Sequence, residues 1–269
     1  MTQKTKAERF GALHAGSDIL ILANAWDAAS AAIMADAGAK AVATSSAAVA
    51  WAHGYPDGDA LPLAKLLATV ETVVRAAGDV PVTADIEGGY TDDLGQLADN
   101  IKAVIGAGAV GINLEDGARA PDLHVRKIEA ARKAADAAGV PLFINARIDI
   151  YLKRLAQGEA AYDETVRRAA QYAAAGASGI FTPGASDAAL IGRLAKAIAL
   201  PLNVMLWPNL PPAAELQALG VRRVSAGGAP FASAYTNLAK SIAAYLKDGD
   251  AKAFSAGPEM GNLNKRFGT

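Results

Sequence analysis

Two carboxylates stand two residues apart at the end of a short apolar run, Asp85 and Glu87, and Gly88 and Gly89 follow directly. Side chains two apart on a strand project from the same face, so the two acids would lie side by side where the strand ends. Paired acids before a glycine turn are typical of an active site, but also of a solvated surface turn. On this stretch alone both interpretations stay open.

Other apolar runs also end in charged residues, one in Glu115 and another in Arg147. If these runs are neighbouring strands, Asp85, Glu87 and Glu115 face one cavity. Burying a carboxylate costs several kcal/mol unless it is protonated, paired with an arginine or neutralised by a metal ion. Oxygen ligands without cysteine, and without histidine at the strand ends, favour Mg²⁺ or Mn²⁺ over zinc. The alternative is a purely structural network between Arg147 and the acids.

Two small polar turns could bind anions. Thr44-Ser45-Ser46 offers hydroxyl and backbone N–H groups at a strand-to-loop turn, which suits a carboxylate or phosphate, although an ordinary Ser/Thr turn fits equally. The segment 225–228, Ser-Ala-Gly-Gly, is similar to the phosphate loops that follow late strands of many barrels, or is a plain tight turn.

The elements that must position these residues can be read from the sequence. Short apolar runs without polar alternation predict buried parallel strands at Ile19–Ala23, Ala41–Thr44, Val82–Asp85, Gly111–Glu115, Leu142–Arg147, Gly179–Thr182, Leu202–Met205 and Arg223–Ser225. Segments of helical composition follow each run. Eight such βα units predict a single-domain (β/α)8 barrel over residues 1–250, with a doubly wound open sheet as the runner-up. The tail, residues 251–269, is expected to fray or to contact a neighbouring subunit.

Composition excludes several classes of protein. The 269-residue chain has no cysteine, so disulfides, thiolate metal sites and cysteine nucleophiles are absent. A formal net charge of -1 gives no sign of a nucleic-acid or membrane-surface partner. The polar first ten residues and the lack of a long apolar run predict a cytoplasmic protein.

The positions of the lysine and histidine residues restrict the possible reaction mechanisms further. No lysine lies within a predicted strand or directly after one, which argues against a Schiff-base aldolase. His14, before the first strand, is expected to be structural. His53 and His124 are expected in the loops after the second and fourth strands, as surface residues or as part of a lid.

Four segments together resemble the isocitrate lyase/phosphoenolpyruvate mutase superfamily. They are ILANAWDAASAAIMADAGAKAVATSSAAVAWAHGYPDGD, PVTADIEGGY, GINLEDG and FINARIDIY. The resemblance implies a Mg²⁺-dependent barrel, with Mn²⁺ as a substitute, that acts on small 2-oxo or 2-hydroxy carboxylates. It also implies a homotetramer.

The resemblance assigns roles to residues of this chain. Asp85 would be the principal metal ligand, and Asp57, Glu87 and Glu115 would hold metal-bound waters. Arg147 would stabilise a developing enolate, with Glu115 and Asp57 also in the catalytic group. Substrate contacts would come from Trp26, Asp27, Thr44, Ser45, Ser46, Asp85, Arg147 and Asn203.

One departure from the family pattern bears on the reaction. The family's lyases carry a cysteine-containing lid motif after the fourth strand, whereas this chain has the short segment Glu115-Asp-Gly-Ala-Arg-Ala-Pro-Asp122. We therefore expect a carbon–carbon lyase or decarboxylase whose general acid is not recognisable, with His124, Arg119 or a metal-bound water as candidates. The alternatives are phosphonopyruvate P–C chemistry and a non-catalytic protein that binds oxo acids.

Overall fold

Eight parallel strands close into a barrel in the computed structural model, which describes residues 1–254 and 261–268. Each strand pairs with its neighbours in chain order, and β8 pairs with β1. The strands are β1 (Leu20–Ala25), β2 (Val42–Thr44), β3 (Val82–Asp85), β4 (Gly111–Glu115), β5 (Phe143–Arg147), β6 (Gly179–Phe181), β7 (Leu202–Met205) and β8 (Arg223–Ser225). The predicted (β/α)8 barrel is confirmed, and the open sheet is wrong.

Helices follow the strands around the outside of the barrel. They are α1 (Gln3–Ala15), α2 (Ala28–Asp36), α3 (Ser46–Ala52), α4 (Leu63–Ala77), α5 (Leu94–Gly106), α6 (Pro121–Ala137), α7 (Gly158–Ala174), α8 (Ala188–Ala197), α9 (Ala213–Ala218), α10 (Ala229–Asp248) and α11 (Leu263–Phe267), with a short 3₁₀ turn at Ala251–Phe254. Helices α2 and α4 to α10 form in the segments of helical composition that the sequence predicts after the strands.

The first helix was not predicted, and it closes the amino-terminal end of the barrel. Phe10 and His14 are buried there, with the His14 ring stacked on Phe143 at 3.9 Å between centroids. The charged composition of this segment conceals the signal, yet its buried Ala7, Phe10 and His14 are spaced three and four residues apart, as on one helix face.

The strand that begins the barrel is shifted from its predicted position. β1 runs to Ala25 rather than ending at Ala23, so Asn24 is a buried strand residue. Its side chain donates to the Thr44 carbonyl at 2.9 Å and accepts from the Gly227 amide at 2.9 Å. Asn24 therefore ties β2 and the loop after β8 to β1 at the carboxyl end of the barrel.

Helix α10 has no buried residue, unlike the other long helices. Its side chains Leu238, Ile242 and Leu246 are exposed, and so is Ile21 on the outside of β1. Beyond it, α11 contacts its own barrel, since Arg266 donates to Asp36 at 3.0 Å and to the Ala76 carbonyl at 2.9 Å. Part of the predicted tail, residues 255–260 and 269, lies outside the described residues, and its contact with a neighbouring subunit stays a prediction.

None of the helices in residues 1–254 and 261–268 combines the length and apolar character needed to cross a bilayer.

Candidate active site

Asp85 lies at the carboxyl end of β3 inside the barrel, where it is 8% exposed. One carboxylate oxygen accepts from the Glu87 amide at 3.1 Å and the other from the Asn113 side chain at 3.2 Å. Asn113 is held in this orientation because its own oxygen accepts from Asn145 at 2.9 Å. Burial raises the pKa of Asp85, and the nearby charge of Arg147 opposes this rise.

Glu87 is also buried, but its side chain turns toward a neighbouring loop. Its carboxylate accepts from the amides of Gly58 and Asp59 and from the Tyr90 hydroxyl. Glu87, Tyr90 and Asp59 all have positive φ, which is strained for residues with side chains. Burial raises the pKa of Glu87 to about 7, and the hydrogen bond from the Asp59 amide opposes this rise.

Arg147, at the end of β5, is fixed between two carboxylates. Its Nη1 lies 2.6 Å from Glu115 Oε2, and its Nε donates to Asp149 Oδ1 at 2.7 Å. Burial raises the pKa of Glu115 to about 8, with Arg147 opposing. A guanidinium held by two acids is rigid, so its position is set before any ligand arrives.

A buried hydrogen-bond network between helix α7 and the residues after β4 and β5 supports the position of Arg147. Asp116, which is fully buried, accepts from Arg168 and from the Tyr172 hydroxyl, both at 2.8 Å. It also accepts from the Asp149 amide at 2.9 Å. Helix α7 thereby fixes the backbone of the residue that holds Arg147.

Three loops at the mouth are joined by ion pairs. Arg119, after β4, donates to Asp59 at 2.8 Å and to Asp92 at 2.9 Å. Lys127 of α6 also binds Asp92, at 2.5 Å, and the Gly88 carbonyl at 2.8 Å. Arg119, one of the predicted acid candidates, therefore has a structural role that the sequence did not reveal.

The predicted substrate-binding residues after β1 and β2 lie at this same end. Asp27 caps α2 by accepting from Ser30, and Trp26 packs edge-on against Phe231 at 5.2 Å between ring centroids. The turn Thr44-Ser45-Ser46 opens the unpredicted helix α3. The Thr44 hydroxyl accepts from the Asp85 amide at 2.8 Å, and Ser45 caps the helix. Contact of these residues with a substrate stays a prediction.

Two further residues that the sequence predicts in the site, Asn203 and Asp57, lie in different parts of the structure. Asn203 is buried on β7 with its amide oxygen 3.5 Å from the Ser225 hydroxyl. Asp57 is exposed in the loop after α3, although its charge still contributes to the raised pKa values of Asp85 and Glu87.

The expectation for His124 was wrong, because α6 begins at Pro121 and carries the ring inward. His124 is 1% exposed and lies against Tyr172, and neither ring nitrogen has a hydrogen-bond partner among the described residues. Burial lowers its pKa to about 3, so it is a neutral core residue and not an acid. His53 is exposed, as predicted, and His14 is structural.

The charges around Asp85 suit a hard cation. Asp85, Glu115 and Asp149 lie around Arg147, and burial raises the pKa values of Asp85 and Glu115 while the charge of Arg147 opposes the rise. A divalent cation would supply further positive charge to these buried carboxylates. The donor atoms are all oxygens. In the described part of the chain, no three His, Asp or Glu side chains are placed to ligate one ion together. Asp85 as the principal metal ligand stays a prediction.

Strand periodicity places Asn113 and Asp149 on the faces of Glu115 and Arg147, but sequence reasoning assigned them no role in the site. Asp59 and Tyr90 were missed. Asp59 and Tyr90 give no such signal, because loop conformations bring them to Glu87.

Comparison with known proteins identifies the family of this chain. The sequence model of the family described as phosphoenolpyruvate phosphomutase matches residues 10–246. An uncharacterized protein of Mycobacterium tuberculosis (strain ATCC 25618 / H37Rv) is 34% identical over 251 residues, 90% of each chain. A crystal structure from Burkholderia cenocepacia J2315, assigned provisionally as a phosphonomutase, has 45% identity and a TM-score of 0.85, covering 88% of this chain and 98% of that one.

More distant relatives carry named activities. An oxaloacetate decarboxylase of Ectopseudomonas mendocina (strain ymp) is 28% identical, covering 67% of this chain and 63% of the relative. A structure of 2,3-dimethylmalate lyase shares the fold with a TM-score of 0.84 at 22% identity, covering 97% of this chain and 93% of that one. The family match over most of the length confirms the resemblance seen in the sequence. The chain belongs to the phosphoenolpyruvate phosphomutase family.

Proposed function

We propose that this chain is a Mg²⁺-dependent enzyme that breaks a carbon–carbon bond in a small 2-oxo or 2-hydroxy carboxylate, as a lyase or decarboxylase. The observation that carries the proposal is Arg147, held by Glu115 and Asp149 at the barrel mouth beside the buried Asp85. Relatives named as an oxaloacetate decarboxylase and a dimethylmalate lyase support this reaction class.

In this proposal the chain's residues bind the substrate and receive its developing charge. Asp85 would hold Mg²⁺ or Mn²⁺, with Glu87, Glu115 and Asp57 acting through water, and the ion would supply a Lewis acid for the substrate's carboxylate and 2-oxygen. In a 2-oxo substrate whose breaking bond is at C3, the electron pair is delocalised to the 2-oxygen as an enolate, Arg147 donates to that oxygen, and a proton from solvent then adds to C3 to give the keto acid. In a 2-hydroxy substrate the hydroxyl proton passes to a base as the C2–C3 bond breaks and C2 becomes a carbonyl. The electron pair then moves to the carboxylate of the departing fragment, whose carbon takes a proton from solvent. Preorganised charge of this kind contributes several kcal/mol to catalysis.

A panel assay tests the proposal. The purified protein would be incubated with Mg²⁺, or with a chelator, and with oxaloacetate, methylisocitrate, dimethylmalate or phosphonopyruvate, and the products identified. Metal-dependent product from a carbon substrate supports the proposal, and Asp85→Asn should abolish it. Asp18→Asn, at an exposed carboxylate, is the matched control. Turnover that survives chelation and Asp85→Asn would contradict the proposal.

Phosphonopyruvate chemistry is the second candidate. The 45% identical structure assigned provisionally as a phosphonomutase favours it. Product from phosphonopyruvate alone in the same panel would establish this alternative. Oxo-acid binding without turnover of any compound would instead support a non-catalytic binding protein.

We also propose that the chain forms a homo-oligomer by exchanging α10. A groove of about 430 Å³ on the outside of the barrel is lined by Ile19, Ile21, Ala23, Ile33 and Met34, beside β1. The apolar side chains of α10 are exposed in the single chain, and a second copy's α10 would cover such a groove. Light scattering should give a mass above that of one chain, and Leu238→Glu with Ile242→Glu should reduce it. A wild-type monomer would contradict the exchange and the predicted tetramer alike.

A further inference from the structure

The clamp on Arg147 leaves little positive charge for a substrate. Glu115 and Asp149 lie 2.6 and 2.7 Å from its guanidinium, so the three groups together carry a net negative charge when both acids are ionised. A substrate with two carboxylates brings two further negative charges to the same mouth. Mg²⁺ at Asp85 would offset charge at the end of the substrate that it binds, and a second carboxylate would be bound more tightly beside a further cation.

Lys153 is the cation best placed to provide that charge. Its ammonium lies 3.9 Å from Asp149 Oδ2, which is longer than a hydrogen bond, and its side chain is 42% exposed. Among the described residues this is its only ion pair. Arg119, the other cation at the mouth, already donates to Asp59 and Asp92. Lys153 therefore has N–H groups available for a ligand.

The position of Gly117 shows that Lys153 reaches the site. Gly117 follows β4 with a φ of 56°, and a Cβ added there would lie 3.8 Å from Lys153 Cε and 3.9 Å from Glu115 Oε1. The same point is 3.5 Å from Arg119 Nη1. The end of the lysine thus stands beside the acid that contacts Arg147, with only a glycine between the loops.

We propose that Lys153 is a specificity-determining residue that binds the remote carboxylate of the substrate, the one farther from Asp85 and not attached to the 2-oxo carbon. The inference rests on the proposed function and deepens it, because it makes the substrate a 2-oxo dicarboxylate rather than a monocarboxylate. The reacting end would lie at Asp85 and Arg147, and the remote carboxylate would lie toward the loop that follows β5.

The competing explanation is that Lys153 only supports Asp149, one helical turn away. These two roles differ in which ligands they affect. Loss of a support for Asp149 would disturb Arg147 and weaken every ligand of the site. Loss of a contact with the remote carboxylate weakens only ligands that have one.

Calorimetry with two inhibitors separates these roles. Oxalate mimics the reacting half of the substrate, whereas 3,3-difluorooxaloacetate also carries the remote carboxylate. Both would be titrated in Mg²⁺ into the full-length protein, Lys153→Met, Lys153→Arg and Lys102→Met, the last an exposed lysine of α5 as control. A charged hydrogen bond is worth enough that Lys153→Met should raise the Kd for difluorooxaloacetate about tenfold. Its Kd for oxalate should stay unchanged, Lys153→Arg should retain most of the affinity, and Lys102→Met all of it.

Failure of the role of Lys153 can be distinguished from failure of the proposed function. If Lys153→Met weakens both ligands equally, or neither, the specificity role is overturned while the proposed function stands. If the unchanged protein does not bind oxalate in Mg²⁺, the proposed function is overturned and this inference with it.

Discussion

Arg223 is among the largest fully buried side chains of the described residues, and it lies inside the barrel at 1% exposure. Only one hydrogen bond holds it there, from Nη2 to Asn113 Oδ1 at 3.3 Å, while Nε and Nη1 have no partner within residues 1–254 and 261–268. Burial lowers the pKa of its guanidinium from 12.5 to about 9, partly offset by the charge of Asp85. A buried cation with so few partners is expected to destabilise the fold.

We expect Arg223→Met to stabilise the protein. The lowered pKa corresponds to about 5 kcal/mol of unfavourable free energy for the charged form. Local relaxation and the loss of the bond to Asn113 reduce the benefit, so we expect a net gain of about 2 kcal/mol. For a chain of this size that gain would raise Tm by roughly 5 °C. Asn113 would keep its bond from Asn145, so the surroundings of Asp85 should persist.

Urea unfolding measures the gain in the free energy of unfolding of Arg223→Met. Arg222→Met, at the partly exposed neighbouring residue, is the control. The pH dependence gives a second check. The unfolded chain binds the Arg223 proton more tightly than the folded one, so wild-type stability should rise as pH increases above about 9 relative to Arg223→Met. A loss of more than about 1 kcal/mol in Arg223→Met would refute the reasoning and show that water satisfies the guanidinium.

Three other predictions follow from the site. Burial raises the pKa of Glu115 to about 8, so protonated Glu115 favours the folded state. This contribution to stability is complete below pH 4.5 and is lost as pH rises through 8. The Tm of the metal-free protein should therefore fall from pH 5 to 8, and should fall less in Glu115→Gln. Asp149→Asn removes a charged bond to Arg147 and should lower kcat about tenfold with little change in Tm; an unchanged kcat would exclude a positioning role. Arg119→Gln should cost less than about 1 kcal/mol but speed proteolysis of the loop at Asp59, and equal cleavage rates would contradict a joining role.

Much of the fold was predictable because it rests on local patterns. Buried parallel strands have no polar alternation, so the runs that became β3, β4 and β7 stand out with the bounds observed. Helices α1 and α3 were missed because their apolar residues are few and lie among charged or small ones. His124 was misplaced because it was assigned to a loop, whereas it lies on the inward face of α6 with Lys127, Ile128 and Ala131.

The sequence by itself determined which acids stand at strand ends, since strand periodicity and parallel order bring Asp85 and Glu115 to one edge. Only the tertiary structure decided what each acid contacts. Glu87 turns to the loop at Asp59 through a positive φ that no sequence pattern predicts, and Asp149 becomes the clamp on Arg147 because α7 fixes its backbone through Asp116. Strand spacing is a local property of the chain, whereas hydrogen-bond partners are chosen by segments far apart in sequence that folding brings together.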